Sequence, residues 1–312
     1  MAEAARSTWR PEREIELVAG TPAGGGQDRP ARVLIGLLKD AVGVPIKLTN
    51  IAGRGGGNAW DYLAQHPGDP HILAINSPTI VTNLLLREST LDFTDLTPLA
   101  NLYTEYLVFV VRPNAEPSSA AALVTQLKRN TGGIRIAFAT AIGNMNHMAL
   151  AKITTQAGGD VKALAVDVFD SARYAVARVV EGRADLAVIT ATSAVPELQA
   201  GLLRAIAVSA PRRMTAPFAD APTWGEAGID CVVGTWRGVI GARGLTAAQV
   251  AFWERALADA VRGEAWRAEL ARHHWTDTYL GPAATRDFLD SERGAMRGAL
   301  SALGLLAEGA AR

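Results

Sequence analysis

The sequence predicts an α/β fold of two lobes, each a mainly parallel sheet flanked by helices, with the second lobe inserted into the first. Three observations carry this prediction. Short apolar runs alternate with stretches of helical period at the spacing of strand–helix–strand units. The alternation comes in two sets, divided by the fully apolar run 106–113. After the second set, 231–242 reads as a returning strand, and three helical stretches close the chain. A length of 312 residues suits two domains at ~150 residues each, and such a chain can bury roughly three quarters of its surface.

The elements follow in order. EIELVAG (14–20) is a short apolar-rich strand, and ARVLIGLLKDA (31–41) has helical periodicity. PIKLTN (45–50) reads as a strand, GNAWDYLAQ (57–65) as a helix and HILAINS (71–77) as a strand. Short loops between them imply right-handed parallel crossovers. YLVFVVRP (106–113) is an apolar strand ended by proline. The second set runs helix 118–130 with a serine N-cap, strand 134–140, helix 145–157, strand 161–167, helix 171–182, strand 184–190 and strand 203–209. Helices 247–261, 263–274 and 283–304 finish the chain. Lobe 1 is therefore expected at 1–111 plus 232–312 and lobe 2 at 112–231, with crossings near Val110–Pro113 and Asp230–Gly238. Two connecting strands make a hinge with a cleft, and open α/β sheets take ligands at strand C-termini.

Composition removes several functions. Lys plus Arg and Asp plus Glu number 31 each, so there is no basic excess to draw in nucleic acid or a membrane surface. Cys231 is the only cysteine, which excludes an intrachain disulfide and a cysteine-based zinc site. The histidines are scattered without spaced carboxylates, so neither a metal nor any other cofactor is expected. No apolar run reaches membrane-spanning length. The start MAEAARSTWRPERE lacks the apolar stretch of a secretory signal. That leaves two readings open: a cytoplasmic protein, or an exported one whose leader is not in this sequence.

The residues that carry chemistry sit at strand ends. GTPAGGGQDRPAR (20–32) places Pro22, Gly24, Gly25, Gly26 and Gln27 before a helix, where backbone N–H groups and the helix dipole favour an anion. Asp28 reads as the helix N-cap, and a bulky residue at Gly25 is expected to weaken binding without unfolding the protein. The loop matches neither a Walker motif nor a dinucleotide fingerprint, since no Lys-Ser/Thr follows and Arg29 holds the third glycine position. Arg54 lies in a second glycine loop, either paired with a ligand carboxylate or solvated. Ser77 and Thr79 offer hydroxyls after the third strand. The second set repeats the arrangement with Thr140, Gly143, Asn144 and His147, then Phe169 and Asp170, then Thr190 and Ser193. His147 is either a structural histidine or a neutral donor to the ligand. Trp236 is either aromatic core or cleft wall, and Arg237 faces either an anion or the surface. Among Arg29, Arg54 and Arg237 the sequence does not select. No nucleophile-elbow, zincin or Ser-x-x-Lys element occurs, so no catalytic residue is expected.

Taken in order, PAGGGQDRPAR (22–32), NIAGRGGGNAW (50–60), HPGDPHILAINSPTIVTN (66–83), LDFTDLTPLANLYTEYLVFVV (91–111), VVEGRADL (179–186), LQAGLLRAIAVSAPRR (198–213), APTWGEAGID (221–230), TWRGVIGARGLT (235–246) and SALGLL (301–306) resemble the TctC/Bug family, receptors of tripartite tricarboxylate transporters. The resemblance implies a periplasmic-binding-protein fold of the Venus-flytrap type, without catalysis. It implies a monomer that binds a small carboxylate of the di- or tricarboxylate class and hands it to a membrane pair of one large and one small subunit. It implies a periplasmic location. In the family the first glycine loop helps hold a ligand carboxylate, which maps onto Pro22, Gly24, Gly25, Gly26 and Asp28. The family's S-x-G-x-x-x-H helix start maps onto Thr140, Gly143, Asn144 and His147. Ala139-Thr140-Ala141-Ile142 departs from its Ser/Gly-rich stretch, and bulky Ile142 points to a ligand unlike citrate. Glu181-Gly182 stands where a Gly-Gly is usual. Two other classes remain, an enzyme of unknown reaction using the same cleft and a ligand-sensing module for a signalling partner.

Overall fold

The computed structural model describes residues 9–306. The reading of the N-terminal start lies mostly outside them. The chain forms two compact units. The first comprises the chain up to Thr104 together with Trp236–Gly294, and the second comprises Glu105–Thr235 with the chain from Ala295 onward.

In the first unit, β1 (Ile15–Ala19) leads into α1 (Asp28–Val42), β2 (Ile46–Asn50) into α2 (Gly57–Ala64) and β3 (Ile72–Asn76) into α3 (Thr79–Leu85). β1 pairs in parallel with both β2 and β3. β4 (Thr97–Val111) begins here, and β9 (Gly234–Gly241) returns antiparallel to β3. The order is β2-β1-β3-β9-β4, and β10 (Thr276–Leu280) adds antiparallel to β4. Leu34 and Leu38 of α1, Ile15 and Leu17 of β1, and Trp253 and Leu257 of α8 (Ala247–Arg262) are buried together. α9 (Glu264–His273) adds Trp266.

In the second unit the far half of β4 is central. β7 (Leu186–Thr190) and β8 (Arg204–Val208) both pair with it antiparallel, while β5 (Arg135–Ala139) lies parallel to β6 (Ala165–Phe169) and β7. α4 (Ala120–Arg129) and α5 (Met145–Ala157) cover one face, packing Leu123, Leu150 and Ile153 on Leu107 and Phe109. α6 (Ala172–Val180) and α7 (Ala191–Gln199) cover the other, packing Val176 and Ala194 on Val108 and Val110. Ser119 caps α4 through its side chain, accepting from Ala122 N–H at 3.1 Å. That satisfies a donor with no partner inside the helix.

The divisions fall after Thr104 and Thr235, where the sequence reading put them after 111 and 231, and a third falls after Gly294. α10 (Pro282–Ala302) runs past the division at Gly294, so residues from Ala295 group with the second unit rather than the first. A strand passing between units can end at a proline, but a 21-residue helix has no break at which the chain could turn back.

Candidate functional site

In the first unit the three parallel strands end together, and one side chain ties their loops. Gln27, not Asp28, stands at the N-cap of α1. Its amide oxygen accepts from Gly20 N–H at 2.8 Å. Its amide nitrogen donates to the Gly55 carbonyl at 3.2 Å and the Ser77 hydroxyl at 3.4 Å. Gln27 is only 2% exposed, so this buried polar group is satisfied by bonds to all three loops. The loops touch at backbone distance: a Cβ on Gly20 would lie 2.4 Å from Gly56 Cα. Only glycine permits that approach.

Asp28 is 1% exposed and sits behind the glycine loop. Its carboxylate accepts from Gly24 N–H at 2.8 Å, from Asn50 Nδ2 at 2.9 Å and from Arg32 Nε at 2.8 Å. Burial opposes ionisation, but the hydrogen bonds from Arg32, Gly24 and Asn50 outweigh it and hold the carboxyl below the ordinary range. The helix start therefore carries its own anion. Gly24 N–H is taken by Asp28 and Gly25 N–H by the Pro22 carbonyl at 2.9 Å. Of the three glycine N–H groups only that of Gly26 is without a partner among the described residues. Gly25 is not the permissive position expected of it, because a Cβ there would lie 2.6 Å from Thr21 Oγ1.

The three candidate arginines separate. Arg54 turns onto Asn58, with Nε to Oδ1 at 2.9 Å, and pairs with Asp61. Arg29 lies on the exposed side of α1, where its charge bears on His273. Arg237 reaches the glycine loop. Its Nε donates to the Gly26 carbonyl at 3.1 Å and Nη1 to the Trp236 carbonyl at 2.8 Å. It enters no ion pair among the described residues, and the β3–β9 register, Asn76 against Gly238, brings it beside Ser77. Trp236 is core rather than wall: it is 2% exposed, edge-on to Phe288, and donates to Glu292 at 3.0 Å. Burial raises the Glu292 carboxyl above its ordinary range. Thr79 underlies Gly55.

In the second unit β5, β6 and β7 likewise end on one rim. Asn144 caps α5, its Oδ1 accepting from Asn146 N–H at 3.0 Å and His147 N–H at 3.1 Å, while Nδ2 donates to the Ala139 carbonyl at 2.6 Å. Gly143 N–H donates to His147 Nδ1 at 3.1 Å. Burial pushes the His147 imidazole down to about 4. It is thus neutral near pH 7 and, with Nδ1 accepting, carries its proton on Nε2. Thr140 and Asp170 are exposed, and Phe169 lies half-buried under the Arg178 guanidinium at 5.5 Å. The Thr190 and Ser193 hydroxyls meet at 3.1 Å.

Glu105 was missed. The pairing Leu107↔Thr190 carries β4 to the same rim, and Glu105 Oε1 accepts from Thr192 N–H at 3.1 Å. Its only sequence signal is a lone acidic residue within an apolar run.

Among the described residues no group of three or more His, Cys, Asp or Glu is placed to hold a metal. Among the same residues no helix is long and apolar enough to cross a membrane.

The sequence pattern of the tripartite tricarboxylate transporter family receptor matches residues 31–294. Protein BugT of Bordetella pertussis is 26% identical over 287 residues, covering 90% of this chain and 86% of its own. Two solved structures share the fold. R. palustris Rpa4515 with adipate has a TM-score of 0.81 at 22% identity, over 94% of this chain and 98% of its own. MatC from Rhodopseudomonas palustris with bound malate has 0.77 at 23%, over 93% and 99%. The matched pattern is that of a solute receptor rather than an enzyme, the solved neighbours share the fold, and the chain belongs to the tripartite tricarboxylate transporter receptor family.

Proposed function

We propose that this protein is a periplasmic receptor that binds a small organic carboxylate and passes it to the large and small membrane subunits of a tripartite transporter. The observation that carries the reading is Arg237. It is a guanidinium fixed by the Gly26 carbonyl of the glycine loop and the Trp236 carbonyl of β9, with no carboxylate of its own among the described residues. Beside it stand Gly26 N–H and the end of β3. A cation with a backbone donor is the combination that holds a desolvated carboxylate. Dicarboxylates in the two solved neighbours support the ligand class.

Thermal unfolding against mono-, di- and tricarboxylates tests this. A ligand at about 100 times its Kd stabilises by about 2.7 kcal/mol, and a receptor releases it chemically unchanged. If no carboxylate raises the melting temperature, the reading fails.

A further inference from the structure

We infer that Gln27 is a positioning residue for ligand binding, aiming the Ser77 hydroxyl hydrogen at the carboxylate that Arg237 attracts. The inference rests on the carboxylate reading above and adds a donor to it. Every group it invokes lies in the first unit. A carboxamide is ambiguous until its partners fix which end is oxygen. Here two backbone groups of opposite polarity fix it: Gly20 N–H needs an acceptor at 2.8 Å, and the Gly55 carbonyl needs a donor at 3.2 Å. The end that meets Ser77 Oγ at 3.4 Å is therefore the nitrogen. An amide nitrogen only donates, so the Ser77 oxygen accepts and its own hydrogen must point elsewhere. Gly56 leaves the amide little slack, since a Cβ there would lie 2.5 Å from Gln27 Nε2.

The rest of Ser77 is already engaged. Its backbone N–H donates to Asn76 Oδ1 at 2.9 Å, and its carbonyl accepts from Ile80 N–H at 3.1 Å. Only the hydroxyl hydrogen is left without an acceptor among the described residues, although Ser77 is 3% exposed. A nearly buried donor with no acceptor is costly, and a bound anion supplies the acceptor. The sheet puts the cation for that anion alongside. β3 and β9 pair up to Asn76 against Gly238, so the next positions, Ser77 and Arg237, stand side by side. The Ser77 hydroxyl then joins Arg237 and Gly26 N–H as a third donor, and hydrogen bonds to a charged acceptor are the strong ones.

Calorimetry on the full chain at pH 8 tests this, the probe being whichever of acetate, succinate, malate, adipate and citrate binds most tightly. Ser77→Ala removes the hydroxyl and is expected to raise the Kd about tenfold. Gln27→Glu keeps an oxygen for Gly20 N–H but puts an acceptor where the amide donated, so the Ser77 hydrogen turns to the new carboxylate and away from the ligand. In that background Ser77→Ala should cost less than about twofold. A glutamine that only braced the loops would leave the full Ser77→Ala effect in place, and that result overturns the inference. So does a Ser77→Ala protein that binds like the parent. Should Gln27→Glu not fold or not bind, Gln27→Met replaces it; the hydroxyl is then unaimed, and the Ser77→Ala effect should shrink to about threefold. An undiminished effect there also overturns the inference. If the parent binds none of the five, the carboxylate reading fails and takes the inference with it.

Discussion

His147 should make the protein acid-labile well above the range of ordinary carboxylates. In the folded chain its imidazole is 6% exposed, accepts from Gly143 N–H through Nδ1, and titrates at about 4. In the unfolded chain an imidazole titrates near ~6.5. The folded value is depressed, so the neutral form is the one the fold stabilises. Stability is complete above the unfolded value and is lost as pH falls through the interval between the two. Integrating the difference in bound protons gives a loss of about 2 kcal/mol between pH 7 and pH 5, and about 3 kcal/mol by pH 4. His147→Asn leaves a non-titrating acceptor near the Nδ1 position. Urea unfolding of parent and variant at pH 7, 6 and 5 isolates the contribution, since other titrating groups are common to both. The variant should be flatter by about 2 kcal/mol over that range. Parallel profiles would refute the assignment of a buried neutral imidazole.

Three further outcomes are expected. Arg237→Ala should weaken carboxylate binding by about 2–5 kcal/mol, whereas Arg54→Ala, which breaks only the Asp61 pair on the surface, should leave the calorimetric Kd unchanged; equal losses would remove Arg237 from its role. Gly25→Ala should destabilise the fold, because its Cβ would lie 2.6 Å from Thr21 Oγ1. Gly26→Ala meets only the Arg237 Nη2 at 3.2 Å and should fold normally while altering affinity; identical melting temperatures for the two would contradict the loop geometry. Asp28→Asn should cost about 1–3 kcal/mol of stability by weakening the acceptor for Gly24, Asn50 and Arg32, and an unchanged denaturation midpoint would count against it.

Periodicity and punctuation determined most elements of this protein by themselves. Strand 14–20 is observed at Ile15–Ala19, and helix 145–157 at Met145–Ala157. Apolar side chains at period 2 or 3.6 have only one way to reach a core, so such runs announce their structure. Where that signal is weak the structure had to be seen. The first half of β4, Thr97 onward, opens on Thr-Pro and carries Asn101, Thr104 and Glu105; Asn101 is held by Thr278 of β10 at 2.8 Å, a contact 177 residues away. β10 itself, TDTYL, has no apolar alternation, and α7 contains Pro196. The segment 161–167 begins as a single 3-10 turn, and the strand starts only at Ala165.

The site divides in the same way. Glycine loops and hydroxyls at strand ends were legible because parallel α/β units place such ends on one rim, whatever the details. Which polar group meets which was not. Gln27 rather than Asp28 joins three loops, Arg237 rather than Arg54 keeps its charge available, and Glu105 arrives through the pairing Leu107↔Thr190. A charged side chain is assigned by its partner, and these partners lie up to 211 residues away in sequence. Local sequence fixes a residue's backbone, and only long-range packing decides whether its charge is already neutralised within the fold.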